Sequence, residues 1–272
     1  MADVRMPGEM ISWMEGLGWG PHHDRWHFER RWDFWHHLAE HGTPQQQAVA
    51  GPMVEYAHSR QWRRAEVQEG QPGNGREFLM MHRAMLHLIL ARFPEHAELV
   101  LGWPTPPTDP NAPEDPVPGG TPFEGDKAEG VRVVENDFEL FADDDAYGIF
   151  LETNIRPLPG DPTNRDPDGR LGVHNYLHNR WTDPSSPINL GDPKVNLFNR
   201  RFWKLHGWID RQWARYRLAR GFSDEDPAYR RALEEHRHMM SGHHVHHTGM
   251  KADEGAEPAA ARPAGFSHFF AF

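Results

Sequence analysis

The chain has 272 residues, 29 Lys and Arg against 40 Asp and Glu, a formal charge of −11 with histidine neutral, and no cysteine. The acidic balance argues against a nucleic-acid binder and against a binder of anionic membranes. The missing cysteine excludes disulfides, thiolate nucleophiles, Cys-based zinc sites and iron–sulfur clusters, so any metal would be held by imidazole and carboxylate, a donor set open to copper, zinc, iron and nickel.

In chain order, the opening MADVRMPGEMISWMEGLGWG has no continuous apolar core or small-residue cleavage site. No stretch of about 18 apolar residues occurs anywhere. The expectation is a cytoplasmic protein. Roughly helical periodicity in Trp-, Leu-, Met- and Arg-rich sequence predicts helices over 22–41, 45–67, 76–93, 198–220 and 227–240. Between the third and fourth lies a long insert. It opens with a proline-rich loop, GWPTPPTDPNAPEDPVPGGTPFEG, and continues with a strand pair around VRVVENDFELF and YGIFLET. The turn-rich RPLPGDPTNRDPDGR follows. The end of the chain differs in kind: KADEGAEPAAARPAG reads as a flexible linker, and FSHFFAF is an aromatic cluster that should dock rather than stay exposed. The expected architecture is mainly α, a four-helix-bundle core with long irregular loops and a few short strands. One domain would span 1–250, with linker and tail over 251–272.

Histidine carries the chemistry. There are 20, and chance placement would give about 1.4 pairs at i, i+4, so spacing alone is weak. Four such pairs occur: His23/His27, His37/His41, His174/His178 and His243/His247. Context separates them. In GVHNYLHNRW, His174 and His178 share one helical face, with Asn175 after the first. Downstream, FNRRFWKLHGWIDRQW holds His206, then Asp210 one turn on, Arg211 and Trp213. A third imidazole on a facing helix could complete a three-histidine site, with Asp210 fixing packing or ring orientation.

These motifs resemble the type-3 copper proteins (tyrosinases, catechol oxidases and hemocyanins), closest to the bacterial tyrosinase-like members. The family's second copper helix reads H-N-x-x-H, as at His174, Asn175 and His178. Its third ligand lies in F-W-x-H-H-x-x-x-D-R-x-W, matched here by Phe202, Trp203, His206, Asp210, Arg211 and Trp213, with Leu205 at the other histidine. The intervening TDPSSPINLGDP is similar to the family's proline-rich loop. For the first copper site, REFLMMHRAMLHLIL resembles F-L-x-W-H-R-x-x-L at Phe78, Leu79, His82, Arg83 and Leu86. His58 falls where the family's first ligand lies. The middle ligand's position, nine residues before His82, is Gly73. Either that copper has two ligands from these segments, or one of His22, His23, His27, His36, His37 and His41 reaches in. His87 is a poor substitute, being about 140° around the helix from His82. The resemblance covers 56–93 and 174–213.

The resemblance implies a cofactor of two copper ions (one if the first site fails), metal ligands His58, His82, His174, His178 and His206, and dioxygen used to convert a phenol or catechol to an o-quinone. A copper-delivery partner is a further candidate. It also implies that Asn175 helps a glutamate orient a water that deprotonates phenols, although no glutamate can be assigned from sequence. Two rivals stand beside this reading. One is a copper- or dioxygen-binding protein without turnover. The other is a three-histidine zinc hydrolase, disfavoured because no H-E-x-x-H is present. Met80, Met81 and Met85 read as core, and HRHMMSGHHVHH, 236–247, as a solvated tract with loose metal affinity. FSHFFAF is expected over the substrate entrance.

Overall fold

In the computed structural model, which describes residues 4–153, 172–242 and 261–271, the chain is mainly helical. Ten α-helices lie among the described residues: α1 (Gly8–Gly16), α2 (Trp19–Arg30), α3 (Trp32–His41), α4 (Pro44–Ser59), α5 (Asn74–Arg92), α6 (Gly125–Asn136), α7 (Asp144–Thr153), α8 (Val173–Arg180), α9 (Arg200–Ala219) and α10 (Pro227–Met240). A 3-10 helix, Ala264–Ala271, closes the described chain.

The predicted region 22–41 is two helices, broken at Arg31, which caps α2 and precedes α3 with non-helical backbone. The region 45–67 ends early at Ser59; Thr43 and Gln46 form a capping box at its start. The predicted strand pair is a correction. VRVVENDFELF runs through α6 into a 3-10 turn, Phe138–Leu140, and YGIFLET lies in α7. Lys127, Gly130, Val131 and Val134 are buried on α6, a spacing of three, one and three that only a helix puts on one face. Valine content favoured a strand, and burial period decided for a helix. Among the described residues the sole β-pairing is an isolated bridge between Arg5 and Asn199. The turn-rich stretch 156–170 lies outside the described residues.

α5 is the central element. Twelve of its nineteen residues are buried, Met80, Met81 and Met85 among them, and it packs against α7, α9 and α10. It is locked to α9 by Arg83, whose guanidinium donates to the Asp210 carboxylate and to the Tyr229 hydroxyl while lying 3.8 Å over the Trp213 ring. The H-R and D-R-x-W motifs thus meet in space. A second, smaller cluster joins Phe28, Trp35, Met53 and Tyr56 to Phe266, Phe269 and Phe270 of the C-terminal segment. No helix among the described residues is long and apolar enough to cross a membrane.

Candidate metal centre

Six imidazoles from four helices meet in the interior: His23 and His27 from α2, His82 from α5, His174 and His178 from α8, and His206 from α9. All are at most 3% exposed. Two groups have donor atoms within 4.8 Å of one another, His23/His27/His82 and His82/His174/His206. His178 joins the second through its Nε2, 3.3 Å from that of His206. The two groups share a wall, for the His82 and His206 rings stack at 3.9 Å.

Local backbone aims these rings. His23 and His27 project from one face of α2 because they are one turn apart. Gly20 lets that helix press against the 193–194 backbone, where a Cβ would come within 2.4 Å of the Lys194 carbonyl oxygen. The neighbouring Pro193 carbonyl then accepts a hydrogen bond from His23 Nδ1–H, at 2.7 Å. His82 Nδ1–H donates to the Phe78 carbonyl at 2.9 Å and His178 Nδ1–H to the Leu190 carbonyl at 2.9 Å. His174 Nδ1–H donates to Asn175 Oδ1 at 2.8 Å. Each outward bond assigns the proton to Nδ1 and leaves Nε2 a bare lone pair.

The consequence is a frustrated interior. His23 Nε2 faces His82 Nε2 at 3.4 Å, both buried and neither carrying a proton. His23 Nε2 also lies 3.1 Å from His27 Nε2. His174 Nε2 and His206 Nδ1 are buried with no hydrogen-bond partner. His27 and His206 can each donate an Nε2–H to a neighbour, His23 and His178, but the lone pairs of His82 and His174 are left without a donor, which is costly unless a cation lies among them. Imidazole nitrogens bound about 2.0–2.1 Å from one ion at a tetrahedral angle lie about 3.3 Å apart, so the spacing fits shared ligation. Burial keeps the rings neutral, as ligands must be. It pushes His23 down to about 4 and His178 down to about 3, and burial together with neighbouring imidazoles holds His27, His82, His174 and His206 well below the usual histidine range. The buried triads could hold metal ions.

A polar arm leaves the centre beside His174. Asn175 Nδ2 donates to Glu69 at 3.0 Å, and Arg31 pairs with the other oxygen of Glu69 at 2.7 Å. Behind it, Glu152 of α7 is buried and accepts from Asn74 Nδ2. Burial first, and the nearby Glu69 charge second, push its carboxyl well above the usual range. On the other side the walls are apolar: Phe78, Phe202, Trp26 and Phe270.

Phe270 comes from the tail. Its ring stacks on His178 at 4.2 Å and meets His27 at 5.3 Å and His174 at 5.5 Å edge-on. The tail is fastened by Arg262 to Asp24 and Asp192, by Arg31 to the Phe269 carbonyl, and by the 189–193 loop. In that loop Asn189 donates to the Ser267 carbonyl and the Gly191 carbonyl accepts from Phe269 N–H. Residues 251–260 and Phe272 lie outside the described residues, as do His243 and His247.

Of the residues singled out from sequence, His82, His174, His178, His206 and Asn175 come together. His58 does not. It is exposed on α4, with its Nε2 3.1 Å from that of His36. His37 and His41 pair with each other, both exposed, and His87 stands outside both groups. His23 and His27 take the place assigned to His58. Their i, i+4 spacing was a signal, but it was shared with the surface pair His37/His41. Gly73 also has its reason: it caps α5 at φ +100°, a backbone that disfavours histidine, and its N–H donates to Asp145 at 2.7 Å. Glu69 had no local signal at all. Neither a protein-family model, nor a curated protein, nor a solved structure matches the chain.

Proposed function

We propose that the chain is a type-3 copper oxidoreductase acting on a phenol or catechol with dioxygen. The carrying observation is the pair of contiguous histidine triads, with the Nδ1–H groups of His23, His82, His174 and His178 tied outward and the Nε2 atoms crowded inward. His23, His27 and His82 would hold one ion, and His174, His178 and His206 the other. Copper, when bound, supplies the redox steps and the activation of dioxygen. All-imidazole donors suit it in both oxidation states.

The protein's own groups do the rest. Glu69, held by Arg31 and Asn175, is the base that takes the phenolic proton, directly or through a water on Asn175. This is the glutamate that the resemblance calls for beside Asn175. The face of His178 that carries the Phe270 ring is where an aromatic substrate would stack once the tail withdraws. The apolar walls exclude water from the reacting atoms.

A second reading, copper or dioxygen binding without turnover, has one observation in its favour: Phe270 covers His27, His174 and His178 together. Gly73 no longer argues for it, because α2 brings two imidazoles to the first triad. The test is copper content of the purified, copper-loaded protein, followed by catechol oxidation. Two ions per chain that survive a weak chelator, with turnover, supports the enzyme. Two ions without turnover, in wild type and in a Phe270→Ala variant alike, supports the carrier. Copper that binds no better than to a histidine-free control protein would overturn both.

A further inference from the structure

The histidine that sequence assigned to the first copper has another partner. α3 and α4 fold back on each other across the Gly42–Thr43 turn, and they bring His36 and His58 together with Nε2 atoms 3.1 Å apart. His58 is exposed and His36 half-buried, so the space beyond both nitrogens opens to solvent. We infer that this pair is a second, solvent-facing metal site for a borderline divalent cation, Cu(II) or Zn(II), independent of the buried triads and of the function proposed for them.

Three features argue for a built site. His36 Nδ1–H donates to the Trp32 carbonyl one turn back, at 2.9 Å, which fixes its tautomer and leaves Nε2 a lone pair aimed at His58. The Trp32 indole serves both rings as a shelf, stacked on His36 at 4.4 Å and edge-on to His58 at 5.2 Å. Rotation of either ring away from the other would forfeit that packing, so little ordering is left for a metal to impose. The nitrogen spacing corresponds to an angle of about 100° at an ion bound about 2.0–2.1 Å from each, between square-planar and tetrahedral values.

In the metal-free protein His58 Nε2–H donates to His36 Nε2. An incoming cation needs only a shift of that proton to His58 Nδ1 or its release to water, because both rings are then neutral ligands. The nearby Asp33 carboxylate is already held by Arg64, with both oxygens at 2.7 Å. Among the described residues no third histidine or carboxylate atom joins the pair in one cluster. Water would complete the coordination, and the divalent first-row order places Cu(II) ahead of Zn(II).

The test titrates Zn(II) into full-length protein whose triads carry copper and whose surface copper has been stripped by a weak chelator: wild type, His36→Ala, His58→Ala, and His37→Ala as an exposed neighbour on α3. The copper content of the buried triads is read on the same samples. The inference expects one saturable Zn(II) equivalent in wild type and in His37→Ala that weakens at least tenfold in both other variants, with triad copper unchanged. Cu(II) at the same site should give the resonance of an isolated ion with two-nitrogen splitting, lost with either histidine. Equal Zn(II) binding in all four proteins would overturn it, leaving the pair a hydrogen bond only. So would an equal loss in His37→Ala, which would mean diffuse binding by surface imidazoles.

Discussion

The ring of Phe270 stacks on that of His178, 4.2 Å away and tilted by 19°, so a residue ninety-two positions downstream covers one of the six clustered imidazoles. Its neighbours Phe266 and Phe269 are wholly buried in the cluster around Phe28 and Trp35. Replacing Phe270 by Ala should therefore uncover the centre while the other two anchors hold the tail. Catechol oxidation by the copper-loaded variant is expected to rise, chiefly through a lower KM. Truncation after Ala264 is a different experiment, since it also empties the Phe266 and Phe269 positions, each worth about 3 kcal/mol or more. That variant should show a markedly lower unfolding midpoint. Kinetics of Phe270→Ala identical to wild type would remove the covering role.

The histidine assignment separates sharply by mutation. His23→Ala and His27→Ala should each cost most of one copper per chain and leave the His174/His178/His206 ion in place. His58→Ala should retain both buried ions, because that ring is exposed on α4. Metal analysis after gel filtration in the presence of a weak chelator reads the outcome. Loss of a buried ion in His58→Ala with retention in His27→Ala would reverse the assignment.

The metal-free protein should be acid-labile. The six imidazoles are buried neutral, with His23 lowered to about 4 and His178 to about 3. An unfolded histidine takes its proton near 6.5. Below that value the unfolded state binds more protons than the folded one, so stability is complete above about pH 6.5 and falls as pH drops toward the folded values. Each ring contributes up to about 1.4 kcal/mol per pH unit in that window. Denaturant midpoints of apo protein at pH 7.5 and 5.5 should differ widely, and copper loading should raise both by a similar amount, because the folded rings are neutral at either pH with or without it. A flat profile for the apo protein would contradict the buried, neutral state.

The two carboxylates beside the centre, half-buried Glu69 and buried Glu152, should respond differently to amidation. Glu69→Gln removes the proposed base and should lower turnover about 10²-fold or more with copper retained. Burial disfavours the charged form of Glu152, so a neutral amide should be tolerated in its place. Its raised folded value means that its contribution is present at low pH and lost as pH rises through that value. Glu152→Gln should thus cost little near neutrality and flatten the fall in stability that sets in as pH rises above about 4.5. Turnover unchanged in Glu69→Gln would remove it from the chemistry.

The clamp between α5 and α9 offers a stability test. Arg83 is 4% exposed and Asp210 27% exposed. Asp210→Asn leaves a buried guanidinium without its counter-charge, at a cost of about 3 kcal/mol, the lower end of the range because Asp210 is partly solvated. Urea unfolding of the apo protein measures it. A cost below about 0.5 kcal/mol would mean that Tyr229 and Trp213 alone satisfy the arginine.

What sequence made legible is what local chain segments carry whole. His174, Asn175 and His178 occupy two turns of one helix, and Arg83 with Asp210 follows from two short motifs. His23 and His27 stood among six candidates that sequence could not rank, because fifty-nine and fifty-five residues separate them from His82 and their spacing is shared with the exposed His37/His41. At Gly73 the matched segment lacks a histidine, and the imidazoles that meet His82 come instead from α2, a helix outside the matched segments. In α6 the β-branched run Val131, Val133 and Val134 concealed a helical burial period. Glu69 and Phe270 reach the site only through tertiary packing, for which single residues leave no local trace.

Five consecutive residues of one loop each hold something: Asn189 and Gly191 grip the tail backbone, Asp192 its arginine, Leu190 the imidazole of His178, and Pro193 that of His23. Such a segment has no slack. A single inserted residue would throw His23 and His178 out of aim and unbuckle the tail in one stroke, so among natural variants its length should be invariant even where its letters drift.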